Sequence, residues 1–140
     1  MSAPRQLPPP SNPALLPVLA AVVLVAAIVA GWGVLSLVLD RDVIDYPDAG
    51  PLLGPAMAFM AGVVTWLVLW RRPARIAAVA IAGFGTYLAV IAVGAIGYAV
   101  TRGDLTWMLL ATAHFALSPF VVAAAVLSAL TVLVVRAVQP

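Results

Sequence analysis

The sequence predicts an all-α fold, an integral membrane bundle of four transmembrane helices with both the N- and C-termini cytoplasmic. Three observations carry that reading. Hydrophobic residues make up 65% of the 140 positions and charged ones 9%, against roughly 45–50% and 25% in a soluble domain. Four apolar runs, at about 15–39, 51–70, 76–100 and 107–135, are each long enough to cross a bilayer, which takes about 20 residues. All seven arginines and all five aspartates fall outside those runs.

The runs are taken in chain order. Residues 1–14 precede the first, and the stretch "MSAPRQLPPPSNPALLP" holds six of the twelve prolines. It reads as a disordered or polyproline-like cytoplasmic tail. The run from Leu15 to Leu39 greatly exceeds the 7–15-residue core of a signal peptide, so it reads as an uncleaved anchor. The transmembrane domain is therefore placed at 15–136.

Next comes "DRDVIDYPDAGPLLGP". Asp40 and Asp42 end the first helix, and Tyr46-Pro47 and Gly50-Pro51 force extended or turn geometry before each proline. Pro51 is expected to open the second helix, with Pro55 in its first turn. Asp48 then stands near that helix's N-terminus, where a carboxylate is favoured. The stretch fails the calcium-loop pattern, which wants Gly at position six and Glu at position twelve; Asp45 and Pro51 stand there.

The third run carries Gly83, Tyr87, Val90, Gly94 and Gly97 at alternating spacings of four and three, one helical stripe. Small residues let lipid-embedded helices approach closely, and Gly31, Gly33 and Ser36 of the first run are expected to receive the stripe. The Tyr87 hydroxyl needs a polar partner inside the membrane. In the fourth run His114 and Ser118 lie one helical turn apart, and Pro119 favours a kink by depriving the Phe115 carbonyl of its donor. An intramembrane histidine is a functional-site hypothesis by default. This run is longer than a span requires, so His114 is expected near the outer interface, within reach of water or the Asp-rich loop. Trp66 and Trp70 at one end, and Tyr98 and Trp107 at the other, fit interfacial belts.

Orientation follows from charge. Arg5, Arg71, Arg72, Arg75 and Arg136 share one side, and Arg41, Arg102 and every aspartate share the other. The positive-inside rule puts the first group in the cytoplasm.

The absences exclude several chemistries. Without cysteine there is no disulfide, thiolate or iron–sulfur site. One histidine cannot make a bis-histidine haem site, so no cofactor and no metal is expected. No clustered basic surface suits nucleic acid. No third member completes a Ser-His-Asp arrangement with Ser118 and His114, so no enzyme is expected. The first span lacks the membrane-embedded glutamate of small multidrug transporters.

The plan of the chain resembles the small four-span membrane proteins of unknown function found in high-GC Gram-positive bacteria. The residues that carry the likeness are "DRDVIDYPDAGPLLGPAMA" after the first span and "HFALSPF" in the fourth. The resemblance implies an integral membrane protein and supplies no activity. The function expected is non-enzymatic: a multi-pass protein of the plasma membrane, read as an accessory subunit acting through helix–helix contacts with a larger membrane protein. The alternative is a small oligomeric transporter or channel with the His114/Ser118 face lining the path. The polar contacts singled out for either role are His114, Ser118, Tyr87, Asp45 and Asp48.

Overall fold

A computed structural model describes residues 14–45 and 49–139. Residues 1–13 of the expected tail (1–14), and Tyr46, Pro47 and Asp48 of the loop, lie outside the described residues. Five helices follow in order: α1 (Leu15–Leu39), α2 (Leu53–Arg71), α3 (Arg75–Arg102), α4 (Thr106–Ala116) and α5 (Pro119–Val138). Four of them, α1, α2, α3 and α5, are long and apolar enough to cross a membrane.

Helices α1, α2 and α3 run close to the bounds of the first three apolar runs. Helix α1 has the bounds of its charge-free run, and it stops because Asp40 turns into the left-handed region (φ 48°), where a short polar side chain is tolerated better than most. The Ser36 carbonyl receives both the Asp40 and the Arg41 N–H, and the Ser36 hydroxyl donates to the Arg41 carbonyl at 2.7 Å. Helix α2 ends in the same way at Arg72 (φ 49°), one residue before Pro73. Its start differs from expectation. Pro51 sits in a turn closed by Leu53 N–H on the Gly50 carbonyl at 3.3 Å, and the helix proper begins at Leu53.

The fourth run is the larger correction. It is not one helix with a kink but two helices, because Ser118 is extended (ψ 127°) and Pro119 opens α5 as its first residue. A proline at that position has no donor to lose. The Phe115 carbonyl, expected to lack a donor, accepts the Ser118 N–H at 3.1 Å in a tightened last turn.

At 1.5 Å per residue α3 is about 42 Å long, some 12 Å more than the hydrocarbon core. The short helix α4 packs along α3, with Trp107 edge-on to Tyr98 and the Arg102 guanidinium over both rings at 5.1 and 5.6 Å. Helix α3 also packs on α2 and α5, while α1 packs on α2 and α5.

That arrangement overturns the expected partner of the glycine stripe. A methyl group placed on Gly83 would stand 3.5 Å from Ala129 Cβ of α5, and one on Gly94 2.9 Å from Phe115 Cδ2 of α4. Gly97 faces Leu53 of α2, Gly31 faces Leu127 of α5, and Gly33 faces nothing within 4 Å. The stripe is a seam, but it receives α2, α4 and α5 rather than α1.

Two apolar clusters fill the interior. One gathers Leu24, Ile28, Trp32, Met57, Phe115 and Phe120 among others. The other holds Ala20, Val68, Leu69, Ala78, Ala82 and Val132. On α2, α3 and α5 the turns that separate the two clusters carry Thr65, Thr86 and Ser128, all fully buried.

Candidate functional site

The polar groups set among the apolar helices fall into two sets. The deeper set is a knot of three hydroxyls from three helices. Thr65 Oγ1 lies 2.6 Å from Ser128 Oγ, Thr86 Oγ1 donates to Ser128 Oγ at 2.9 Å, and Ser128 donates to the Ala82 carbonyl at 3.3 Å. A hydroxyl has one proton and two lone pairs. If Thr65 also donates, Ser128 accepts twice and donates once, and its capacity is filled. None of the three was singled out in the sequence. The available signal was a hydroxyl inside an apolar span, which must find a partner where water is absent.

The second set surrounds the break between α4 and α5. The loop after α1, pinned by Ser36, brings Arg41, Asp42 and Asp45 against His114 and Ser118, around a cavity of about 180 Å³. His114 comes from the last turn of α4, and Ser118 stands immediately before α5. They line one cavity, but they do not share one helix, contrary to the expectation from their spacing. The predicted proximity of His114 to the Asp-rich loop is present. Asp45 is there too, paired with Arg41 at 3.3 Å with both side chains more than half exposed. An exposed pair of that kind is worth about 0–1 kcal/mol.

Both lips of the break are held by side chains from other helices. The Tyr87 hydroxyl donates to the Ala116 carbonyl at 2.7 Å, which supplies the polar partner that tyrosine requires. The Trp32 indole N–H donates to the Phe120 carbonyl at 2.8 Å. Tyr87 therefore supports the cavity without lining it, and Trp32 is a supporting residue that sequence reasoning missed. Phe120, which also lines the cavity, is almost completely buried, as are Phe115 and Trp32.

Ser118 differs from the other buried hydroxyls. It is nine-tenths buried, yet it makes no side-chain bond to the α5 backbone, and among the described residues its Oγ has no partner. It is thus not hydrogen-bonded to His114. Among the described residues no three His, Asp or Glu side chains converge as metal ligands would.

A separate carboxylate stands at the start of α4. Asp104 accepts the Thr106 hydroxyl at 2.6 Å and the Thr106 backbone N–H at 2.9 Å. The hydroxyl bond first, and the backbone bond second, hold its carboxyl below the usual range. This is capping of a short helix, since bonds to the ionised form favour it.

Comparison with known proteins returns no matching curated protein and no matching solved structure. A family model, described as a family of unknown function (DUF6121), matches residues 11–139, and the chain belongs to that family.

Proposed function

We propose that the chain is a non-enzymatic multi-pass protein of a bacterial plasma membrane, acting as an accessory subunit through helix contacts with a larger membrane partner. The observation that carries this reading is the way α1 is held. It buries only a narrow face (Ala20, Leu24, Ile28 and Trp32) against α2 and α5, and exposes Val18, Val22, Val29, Val34, Leu37 and Val38. Lipid-embedded helices associate through packing and small residues rather than through hydrophobicity. The α1–α2 groove, lined by Ala21, Ala26 and Gly62 beside Val22, offers such a surface.

Segregation of charge supports the orientation. Arg71, Arg72 and Arg75 adjoin one another, and Arg136 reaches the Pro73 carbonyl of the same loop at 3.3 Å. That end is cytoplasmic in this reading.

Photocrosslinking tests the partner. A crosslinker at Val22 is expected to capture a single larger membrane protein in stoichiometric yield, and one at Leu88 on α3 is not. Capture of a second copy of this chain at Val22 would favour the oligomeric alternative. Reporter fusions test the orientation. A reporter after Arg75 should read cytoplasmic and one near Asp45 external; the reverse would refute it.

A further inference from the structure

We propose that the groove between α3 and α5 holds an acyl chain of an anionic phospholipid, whose phosphate is bound by Arg75 and Arg136. Arg71, Arg72 and Arg75 flank the α2–α3 turn, and Arg136 reaches the same turn, its Nη2 donating to the Pro73 carbonyl at 3.3 Å. The described aspartates all stand at the opposite end of the bundle, Asp40, Asp42 and Asp45 after α1 and Asp104 before α4. Among the described residues none of these four arginines is in an ion pair. Arg136 is partly buried; its Nε is fully buried without an acceptor, and its Nη1 has none among the described residues. A guanidinium keeps its charge in a protein, and a partly buried charge without a partner is costly. Two helix C-termini (α2 and α5) and two N-termini (α1 and α3) meet at this end, so their dipoles offset one another. The arginines therefore set the sign, and it favours an anion.

Helix spacing joins this charge to an apolar groove. Val79, Gly83 and Tyr87 of α3, with Val122, Val126 and Ala129 of α5, line a groove of about 370 Å³. Arg136 stands two turns beyond Ala129 on the same face of α5, and Arg75 one turn before Val79 on α3,. Both arginines therefore stand at one end of the groove. The Tyr87 hydroxyl, already bonded to the Ala116 carbonyl, is the one polar side-chain group in its lining. At 1.5 Å per residue Arg75 and Tyr87 are about 18 Å apart along α3. Half of the hydrocarbon core is about 15 Å. Groove and arginines together match the depth of one leaflet.

These two features select the occupant. Guanidinium groups at a leaflet's edge bind phosphate through paired N–H donors, and the apolar track inside it receives a chain. A zwitterionic headgroup brings a cation of its own, and no described carboxylate at this end is placed to meet it. An anionic headgroup is therefore favoured. The site requires only that the chain crosses a bilayer. It does not depend on the accessory-subunit reading, and orientation decides only which leaflet supplies the lipid.

The test uses the full chain in detergent micelles, titrated with phosphatidylglycerol and followed by native mass spectrometry. Saturable binding of a single lipid is expected, with phosphatidylcholine weaker by about tenfold or more. Arg75→Gln should weaken phosphatidylglycerol binding about fivefold, the effect of one arginine near a lipid surface. Arg75 is exposed, so its substitution spares the fold. Arg71→Gln removes the same charge from the end of α2, off the groove, and should matter less. Ala80→Phe, at an exposed position in the groove lining, should weaken binding by filling the track.

Inorganic phosphate separates a lipid from a free anion. At the same concentration it should displace no lipid, because it cannot use the groove. Displacement would mean that the arginines bind phosphate alone. Equal losses from Arg71→Gln and Arg75→Gln would mean diffuse attraction to a basic surface. Either result, equal binding of the two lipids, or full affinity in Ala80→Phe would overturn the site.

Discussion

Ser128 lies within α5 and Ser118 immediately before it, and their surroundings are opposite. Ser128 is fully buried and hydrogen-bonded with Thr65, Thr86 and the Ala82 carbonyl. Ser118 is almost as buried and uses none of its side-chain capacity. Between them along α5, Phe120, Val121 and Ala124 close the interior. A saturated polar cluster fixes helices relative to one another and has nothing left to offer a ligand. An unsaturated one adds little to the fold and remains open to chemistry.

The largest expected effect attacks the wall above the knot. Gly94→Leu would drive a side chain into Phe115 and Met57. It should cost about 1–3 kcal/mol in a detergent unfolding assay, the usual range for overpacking. Gly33→Leu, which meets nothing within 4 Å, should be close to neutral. Equal tolerance at both positions would mean that α4 is not seated on α3.

Next comes the knot. Ser128→Ala leaves two threonine hydroxyls without their shared partner and should cost about 1–2 kcal/mol. Replacing all three residues together (Thr65→Val, Thr86→Val and Ser128→Ala) should cost less than the sum of the single changes, because neighbours in one network are not additive. Additive losses would break the contrast by showing that the three hydroxyls act independently. By the same comparison Ser118→Ala should change stability by no more than about 0.5 kcal/mol, since it removes no bond.

The smallest effect concerns Asp104. Its folded-state pKa is lowered, so the stabilisation it brings is present above the unfolded-state value and is lost as pH falls through the folded one,. Thr106→Val removes the first cause of that depression. The Asp104 pKa should rise toward the ordinary carboxylate range, as followed by NMR titration. An unmoved value would show that the backbone bond alone is responsible.

Much of the architecture was legible because charge is a sharp delimiter. No arginine or aspartate interrupts an apolar run, and α1 begins and ends where its run does. Pro119 was legible as a disturbance. That it separates two helices leaves the Ala116 carbonyl to be taken up by Tyr87 from α3, which no local pattern encodes. Helix rotation was illegible for a physical reason. In a bilayer the lipid-facing and core-facing sides are both apolar, so the glycine stripe of α3 revealed a seam without naming its partner. The same ambiguity hid the knot, since Thr65, Thr86 and Ser128 each look like a lone hydroxyl until the helices are turned toward one another. At the cavity His114 and Ser118 were visible as polar residues in an apolar run. The positions of Arg41 and Asp42 beside them depend on a loop docking across the bundle from the far end of the chain.

The Trp32–Phe120 bond joins residues 88 positions apart, and this imposes an order of events during synthesis. At roughly 5–20 residues per second, on the order of 4–18 seconds separate translation of the two partners. Throughout that interval the indole of α1 must wait in the membrane or at its surface for an acceptor that does not yet exist. The first span can therefore be inserted and packed on α2 early, while its contact with α5 is completed last, once α5 has left the ribosome. A nascent chain arrested before Phe120 emerges should keep Trp32 accessible to a quencher that the finished protein excludes.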